Sequence, residues 1–231
     1  MWQRLIRLGF RLLYYELAWT YDLVSWLVSL GEWRAWQQAA LPYINGRSIL
    51  EIGHGPGHLL LELAQNDKQV VGLDLSPHMG RMAQRRLRRA GVSVPLIQGR
   101  VQALPLQTAV FHTVLSTFPT DYVAQPETLV AVHRVLAENG RFVIVPEGHL
   151  TGSGPLHRLI HWLFRITGQR SGPFAVDNEH FWPDEAMWQP LRRRFAAAGF
   201  AVTIDHARLP RSGVTVIVAE KTTTDLSKEQ I

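Results

Sequence analysis

The sequence contains no cysteine, and this absence excludes three classes of site at once. Disulfide bonds, thiolate metal centres and cysteine nucleophiles all require that side chain. A secretory signal is also missing from the first residues, because no short apolar core there precedes a small-residue cleavage site. We therefore expect a cytoplasmic protein whose chemistry relies on other side chains.

Acidic residues are fewer than basic ones. The chain has 19 Asp and Glu but 24 Lys and Arg, and most of these basic residues are arginine. This excess is compatible with an anionic membrane surface or with nucleic acid, and equally with a genome that favours arginine codons. The arginines at 81–89 and 192–194 are not interleaved with the aromatic residues typical of a nucleic-acid surface. Nucleic acid is therefore a minor hypothesis.

Between residues 47 and 147, short apolar segments alternate with amphipathic ones, which predicts parallel strands joined by crossover helices. The predicted strands are 48–52, 70–74, 92–98, 110–117 and 141–145, and the predicted helices are 57–65, 77–89 and 126–136. A helix at 184–198 then precedes two strands, 200–205 and 213–220, joined by a Pro-Arg-Ser-Gly turn. The pattern predicts a doubly wound α/β fold with a seven-stranded, mostly parallel sheet containing one antiparallel strand, plus N-terminal helices.

A glycine-rich loop, Gly53-His54-Gly55-Pro56-Gly57, follows the first predicted strand and precedes a helix. Glycine allows the sharp turn and the close approach of a ligand to the backbone. Asp74 ends the next strand, where its carboxylate can accept hydrogen bonds from both ribose hydroxyls of an adenosine. A dinucleotide fingerprint would need a third glycine where His58 stands, so the spacing favours another adenosine cofactor over nicotinamide or flavin. An ordinary strand-to-helix turn is the remaining alternative.

The loop, with an acid before its first glycine, resembles motif I of class I S-adenosylmethionine-dependent methyltransferases. Segments 74–79, 98–105 and 133–141 are similar to three further motifs of the ubiquinone/menaquinone-type group, so the resemblance covers about residues 45–147. It implies a Rossmann-like fold, S-adenosyl-L-methionine as cofactor and no metal. One departure is Arg100, which stands where the group has an aspartate that accepts from the adenine amino group. Arginine cannot accept that bond.

The resemblance and the predicted topology together bring the cofactor-binding residues to the carboxyl ends of the strands. These residues are Tyr21, Glu51, Gly53, His54, Gly55, Gly57, Asp74, Leu75, Met79, Arg100, Val101, Gln102, Ser116, Thr117 and Phe118. Glu51 is expected to orient the charged amino-acid end of the cofactor, and backbone groups near Arg100 or Gln102 to bind adenine. His54 is expected to face the cofactor or solvent. It is not expected to bind a metal with His58, because no third ligand is evident.

The methyl acceptor is expected beyond the end of the fourth strand, where Asp121 and Tyr122 are the candidate catalytic residues. The alternative is that Asp121 belongs to a turn and Tyr122 only packs. Phe118 and Pro119 would shape the wall around the methyl group. His149, His180 and Tyr21 are further candidates.

Tryptophan is concentrated in the first 40 residues, which carry five of the eight in the chain. The apolar run at 12–30 contains Glu16 and Asp22, which oppose a membrane span and favour an interfacial helix or a lid. We therefore divide the chain into an N-terminal lid or membrane-surface segment (1–44), a methyltransferase domain (45–221) with a helical insertion at about 151–183, and a tail (222–231).

The leading hypothesis is methyl transfer to a small, hydrophobic or lipid-linked acceptor, such as a quinone-like ring or a phospholipid amine. Peripheral attachment to the inner surface of an anionic membrane accompanies it. One alternative is a soluble small-molecule methyltransferase whose N-terminal helices are only a lid. The other, favoured by Arg100, is a membrane-associated cofactor-binding module without catalysis. No pattern in the sequence predicts an oligomeric state.

Overall fold

The computed structural model describes Trp26, residues 29–151 and residues 185–222. Its strands are β1 (Ser48–Ile52), β2 (Gln69–Asp74), β3 (Leu96–Gln98), β4 (Phe111–Thr117), β5 (Leu136–Val145), β6 (Gly148–Leu150), β7 (Phe200–Leu209) and β8 (Ser212–Lys221). Its helices are α1 (Trp33–Gln38), α2 (His58–Gln65), α3 (Pro77–Arg89), α4 (Pro126–Val135) and α5 (Gln189–Ala197). Single 3-10 turns lie at Leu41–Tyr43, Val101–Ala103, Asp121–Ala124 and Glu185–Trp188.

The strands form one sheet in the order β3-β2-β1-β4-β5-β8, and β7 pairs with the other edge of β8. The first five strands are mutually parallel, and β8 runs antiparallel to its neighbours. The short β6 follows β5 after an interruption at residues 146–147 and continues along the same edge of β8. The predicted doubly wound sheet with one antiparallel strand is thus confirmed. The described residues form eight strand segments rather than seven because the fifth strand is broken.

Several predicted boundaries differ from the structure. The third strand pairs only over Leu96–Gln98, because Pro95 has no amide hydrogen to donate to a ladder. The helix predicted at 126–136 ends at Val135, and the Asn139-Gly140 pair lies inside β5 instead of stopping the helix. The last two strands are longer than predicted, since only Pro210 and Arg211 form the turn between them. Residues 1–25, most of the predicted insertion and the tail beyond Thr222 lie outside the described residues.

Apolar residues fill both faces of the sheet, and α1 and α2 cover one face while α4 and α5 cover the other. The neighbours Ile144 and Val145 on β5 point to opposite faces, and both are fully buried. Such runs are expected for parallel strands with helices on each side. Among the described residues, no helix combines the length and the apolarity needed to cross a bilayer.

Helix α1 is tied to the turn between β7 and β8 by buried polar contacts. The indole of Trp36 donates from Nε1 to Ser212 Oγ at 2.9 Å, and Ser212 donates to Glu32 Oε2 at 2.9 Å. Arg211 donates from two nitrogens to the other Glu32 oxygen, at 2.8 and 3.1 Å. The Trp36 ring also lies directly on Gly148, because a Cβ added there would be 2.2 Å from Cδ2 of the indole. These contacts fix α1 at the carboxyl edge of the sheet.

We expect Gly148→Ala to lower the unfolding free energy by about 1–3 kcal/mol, because the added methyl group overlaps the Trp36 ring. Urea denaturation measures the effect. Gly80→Ala is the matched control: a Cβ there meets nothing within 4 Å, and alanine is the better helix former by about 0.5–1 kcal/mol. A Gly148→Ala protein as stable as the parent would contradict the packing of Trp36 on β6.

Candidate active site

The loop between β1 and α2 is built on three glycines with positive φ, +70° at Gly53, +53° at Gly55 and +78° at Gly57. The Gly53 amide donates to the carbonyl of Leu73 at 2.7 Å, which holds the loop against β2. A Cβ on Gly57 would lie 2.7 Å from Cβ of Ala83, so this glycine permits α2 to pack against α3. A Cβ on Gly55 would meet no atom within 4 Å. Gly55 therefore borders open space, into which its bare backbone faces.

Asp74 joins the ends of three neighbouring strands. Its Oδ2 accepts from the amide of Gly55 at 2.9 Å and its Oδ1 accepts from the amide of Ser76 at 2.7 Å. Its carbonyl oxygen accepts from the amide of Gly99, after β3, at 3.1 Å. Each carboxylate oxygen retains acceptor capacity beyond its one backbone bond. The side chain is thus oriented by the protein and still able to bind hydroxyl groups.

Glu51 is buried on β1, with 1% of its surface exposed. Among the described residues, none forms a hydrogen bond with its Oε2. Burial, with a smaller contribution from the charge of Asp74, raises the pKa of Glu51 well above its ordinary value of 4.5. A buried carboxyl group without a partner is unfavourable for folding. A cationic group beside Oε2 would relieve this penalty.

His54 does not face solvent, so that part of its prediction is wrong. Only 3% of its surface is exposed, and its ring lies over Gly72 of β2, where a Cβ would be 2.9 Å from Cδ2 of the ring. Burial lowers the pKa of His54, against the opposing charge of Asp74. Because Nδ1 lies 2.7 Å from the Gly55 carbonyl oxygen, we assign the proton of the neutral ring to Nδ1. The imidazole therefore supports the glycine loop from beneath.

The two candidate catalytic residues share a 3-10 turn but differ in their surroundings. Tyr122 is half-buried, and its Oη lies 3.4 Å from Ser116 Oγ and 2.7 Å from where a Cβ on Gly53 would be. Ser116 in turn donates to the carbonyl of Ile52 at 3.1 Å. Asp121 is exposed at the start of the turn. The phenol of Tyr122 therefore closes one side of the glycine loop, and the Asp121 carboxylate lies at the surface.

An aromatic stack marks the carboxyl end of β4. Phe118 has φ of +51°, an uncommon conformation for a residue with a side chain, and its amide donates to the Val145 carbonyl at 2.7 Å. Its ring stacks on Trp33 of α1 with centroids 4.0 Å apart and planes 27° apart. Gln37, also on α1, donates to Thr117 Oγ1 at 3.3 Å. Sequence reasoning missed this use of Trp33 and Gln37, although the density of tryptophan before residue 40 was a signal.

The remaining predicted cofactor residues surround the ends of β2 and β3. Leu75 is 52% exposed, Arg100 is exposed and Val101 is buried. The side-chain amide of Gln102 donates to Gln125 Oε1 at 2.9 Å, so that nitrogen already has a partner. Met79 is fully buried on the inner face of α3. Tyr21 lies outside the described residues.

Of the other candidates, His149 lies on β6, with Nε2 3.2 Å from Glu147 Oε1, and His180 lies outside the described residues. Within the described part of the chain, no three metal-ligating side chains are grouped. A groove of about 610 Å³ lies at the amino ends of β1, β2 and β4, between Ser48, Gln69, Pro95 and Phe111. It is at the opposite edge of the sheet from the glycine loop and contains none of the predicted site residues.

The loop, the acid after β2 and the sheet order have counterparts among known proteins. A family model described as a methyltransferase domain matches residues 49–140. An uncharacterized methyltransferase of Synechocystis is 34% identical over 215 residues, which span 85% of this chain and 89% of the relative. The chain belongs to the S-adenosylmethionine-dependent methyltransferase family. The resemblance, the enzyme class and the cofactor predicted from the sequence are confirmed, and the non-catalytic alternative gains no support.

A further relative and two solved structures are also similar to this chain. The demethylmenaquinone methyltransferase of Thermus thermophilus is 30% identical over 201 residues, covering 81% of this chain and 90% of that one. An S-adenosylmethionine-dependent methyltransferase of Thermotoga maritima aligns in three dimensions with a TM-score of 0.61 over 91% of this chain and all of that one, at 18% identity. The YcgJ protein of Bacillus subtilis gives 0.59 over 82% of this chain, also at 18% identity. The structural matches establish a shared fold, and the relatives' names indicate a small molecule as the methyl acceptor.

The raised pKa of Glu51 predicts the pH dependence of stability. A carboxyl whose pKa is higher in the folded protein than in the unfolded chain makes folding less favourable as pH rises above 4.5. We therefore expect Glu51→Gln to be stabilised relative to the parent, by a margin that grows as pH rises from mildly acidic to mildly alkaline. Urea denaturation over that range measures the margin. Glu127→Gln, at an exposed position on α4, controls for the lost charge, and a margin that shrinks with pH would contradict the assignment.

Proposed function

We propose that this methyltransferase transfers the methyl group of S-adenosylmethionine to a hydrophobic, quinone-like ring. The observation that carries the proposal is the stack of Trp33 on Phe118 at the carboxyl end of β4. Trp36 lies beside the stack, with its ring centroid 6.1 Å from that of Phe118. Aromatic side chains bind planar rings by offset stacking or edge contacts, in addition to burying apolar area. The resulting wall suits a flat, apolar acceptor.

The glycine loop and its two acids supply the chemistry needed to bind the donor. S-adenosylmethionine carries a cationic amino group, a ribose diol and a reactive sulfonium methyl group. The partnerless Oε2 of Glu51 suits the amino group, because that cation would satisfy a buried acceptor. The oriented carboxylate of Asp74 suits the two hydroxyls. The space in front of Gly55 leaves the backbone open to the donor, with Gly53 and Gly57 shaping the turn.

Adenine is assigned to the segment after β3, with Leu75 as an apolar contact. The exposed side chain of Leu75 follows Asp74 directly, and Val101 is buried in the next turn along the edge. Because arginine accepts no hydrogen bond, the Arg100 side chain cannot take the role of the usual aspartate. Backbone groups of Arg100 to Gln102 therefore recognise the base. Met79 and His54 support the pocket from inside the protein.

Methyl transfer depends mainly on holding the acceptor atom in line with the sulfonium–carbon bond. The end of β4 lies beside Gly53 and therefore borders the donor on the side of the acceptor. The residues there are Ser116 and Thr117 on the strand and Phe118 directly after it. When a ring carbon forms its bond to the methyl group, the donor's sulfur–carbon bond breaks and a ring proton must then leave. Tyr122, whose Oη lies 3.4 Å from Ser116 Oγ, orients the ring through its hydroxyl. The released proton passes to solvent, with which the exposed Asp121 carboxylate at the same turn is in contact.

The name of the Thermus thermophilus relative supports a quinone ring over other acceptors. A phospholipid amine is the second candidate, favoured by Trp26, which is 59% exposed just before α1. Exposed tryptophan is typical of contacts at a membrane interface. Either acceptor is reached at a lipid surface, so peripheral attachment to a membrane forms part of the proposal.

We expect Asp74→Asn and Gly55→Ala to weaken the binding of S-adenosylmethionine at least roughly tenfold, the effect of losing a hydrogen bond to a charged group or of filling the donor's space. Isothermal titration calorimetry measures the dissociation constant, and circular dichroism checks the fold. Gly80→Ala, which adds the same methyl group away from the loop, keeps the parent affinity. Unchanged affinity of the Asp74→Asn variant would contradict the proposal and would mean that the donor binds in another pocket.

A labelled-methyl assay with demethylmenaquinol, phosphatidylethanolamine and histamine tests the acceptor. We expect label in the quinol alone, and a kcat/KM for that quinol reduced roughly tenfold or more in Trp33→Ala, because one stacking surface is lost. Donor affinity in that variant stays at the parent value. Val130→Ala, which shortens an exposed apolar side chain on α4 away from the stack, is the control and keeps the parent kcat/KM. Label found only in phosphatidylethanolamine would reject the quinone-like ring as the acceptor and support the second candidate, a phospholipid amine.

A further inference from the structure

The outer face of α3 is a one-sided cationic surface. Arg81, Arg85, Arg88 and Arg89 are all exposed, whereas Met79, Ala83 and Leu87 on the same helix are buried. At 100° per residue these arginines fall on the side of the helix opposite the buried stripe. They therefore point straight away from the protein. We refer to these four residues as the α3 arginine face.

In the part of the chain that the structure describes, no acidic side chain neutralises this face. The whole stretch from Leu75 to Thr120 contains six arginines and neither aspartate nor glutamate. Among the described residues, the ion pairs of arginine use Arg34, Arg141 and Arg211, and none uses a member of the α3 arginine face. Arg86 lies on the flank of α3 and is not a member of this face. It donates to the Pro56 carbonyl. An uncompensated patch of one sign attracts a partner of the opposite sign.

The helix dipole accounts for only part of this pattern. Basic residues in the last turn of a helix are favourable, and Arg86, Arg88 and Arg89 are in that turn. Arg81 and Arg85 lie earlier, where the dipole offers them no such benefit. Their exposure, with no ion-pair partner among the described residues, is therefore the feature that leaves this face available to an external anion.

We propose that the α3 arginine face docks the enzyme on an anionic lipid surface. The face is one side of a single helix, about 12 Å from Arg81 to Arg89, and α3 has no phenylalanine, tyrosine or tryptophan to stack on a base. Clustered basic side chains are attracted to acidic headgroups, and the attraction falls off within a Debye length. The choice of lipid over nucleic acid rests on the proposed hydrophobic acceptor. The existence of the cationic surface does not depend on that acceptor.

Docking through α3 would also give the active site a defined position relative to the membrane. The helix begins two residues after Asp74, with Ser76 as its N-cap, so its amino end adjoins the donor pocket. The carboxyl edge of the sheet and the Trp33–Phe118 stack belong to the same end of the molecule. Docking through this helix would therefore fix the tilt of the carboxyl edge of the sheet relative to the bilayer surface.

The test is sedimentation of the full chain with vesicles of equal parts phosphatidylglycerol and phosphatidylcholine, compared with phosphatidylcholine alone. We expect binding to the anionic vesicles only, weakened by high salt. Arg81→Glu/Arg85→Glu should lower the partition coefficient at least roughly tenfold, because each reversal removes one attraction and adds one repulsion. These two positions avoid the last turn of α3, so helix stability is spared. Arg81→Lys/Arg85→Lys should bind like the parent.

The matched control is Arg193→Glu/Arg208→Glu, the same change of charge at exposed positions on α5 and β7, at the other end of the sheet. Equal losses in the two charge-reversal variants would show that net charge alone drives binding and would overturn the α3 assignment. Retained binding in Arg81→Glu/Arg85→Glu would also overturn it, as would tighter binding to a short duplex DNA than to anionic vesicles at physiological salt. Failure of the quinol assay alone, with vesicle binding intact, would reject the acceptor and leave the docking surface standing.

Discussion

The carboxyl edge of the sheet, which carries the candidate active site, depends on one carboxylate. Asp74 accepts from the Gly55 and Ser76 amides with its side chain and from Gly99 with its carbonyl, so a single residue sets the relative positions of three loops. Those loops follow three adjacent parallel strands whose carboxyl ends converge on one crevice, the usual ligand position in open α/β sheets. The left-handed glycines make this arrangement possible, because the loop amide could not otherwise turn toward the acid.

Glu51, in contrast to Asp74, makes folding less favourable. Its burial next to Asp74 opposes folding, and among the described residues no partner relieves its Oε2. A protein selected for stability alone would place a neutral residue on this part of β1. The acid is explained if the site is completed by a cation that arrives with the donor. Stability is thus given up at the point where binding of a cationic group would need a carboxylate.

The strand and helix pattern of the central region could be predicted from the sequence because parallel strands read as apolar runs and α3 begins with a Ser-Pro cap. Periodicity could not locate the break in β5 or the extended stretch before Gly140, since both depend on pairing with distant strands. Motif spacing identified the glycine loop and Asp74. It could not tell that His54 points inward, because only Gly72 on the neighbouring strand makes room for its ring. The aromatic stack could not be predicted for the same reason: Trp33 and Phe118 are 85 residues apart.

The attachment of α1 to the last hairpin has a consequence for biosynthesis. The hydrogen bond from Trp36 to Ser212 joins residues separated by 176 positions, and the contacts of Glu32 with Arg211 and Ser212 span similar distances. Long-range contacts of this kind form late, after the intervening chain is available. On a translating ribosome, the glycine loop and Asp74 can therefore assemble from β1 to β4 before α1 is held on the sheet. Only when the final two strands emerge does Trp36 gain the Ser212 partner that fixes α1, and with it the stack of Trp33 on Phe118.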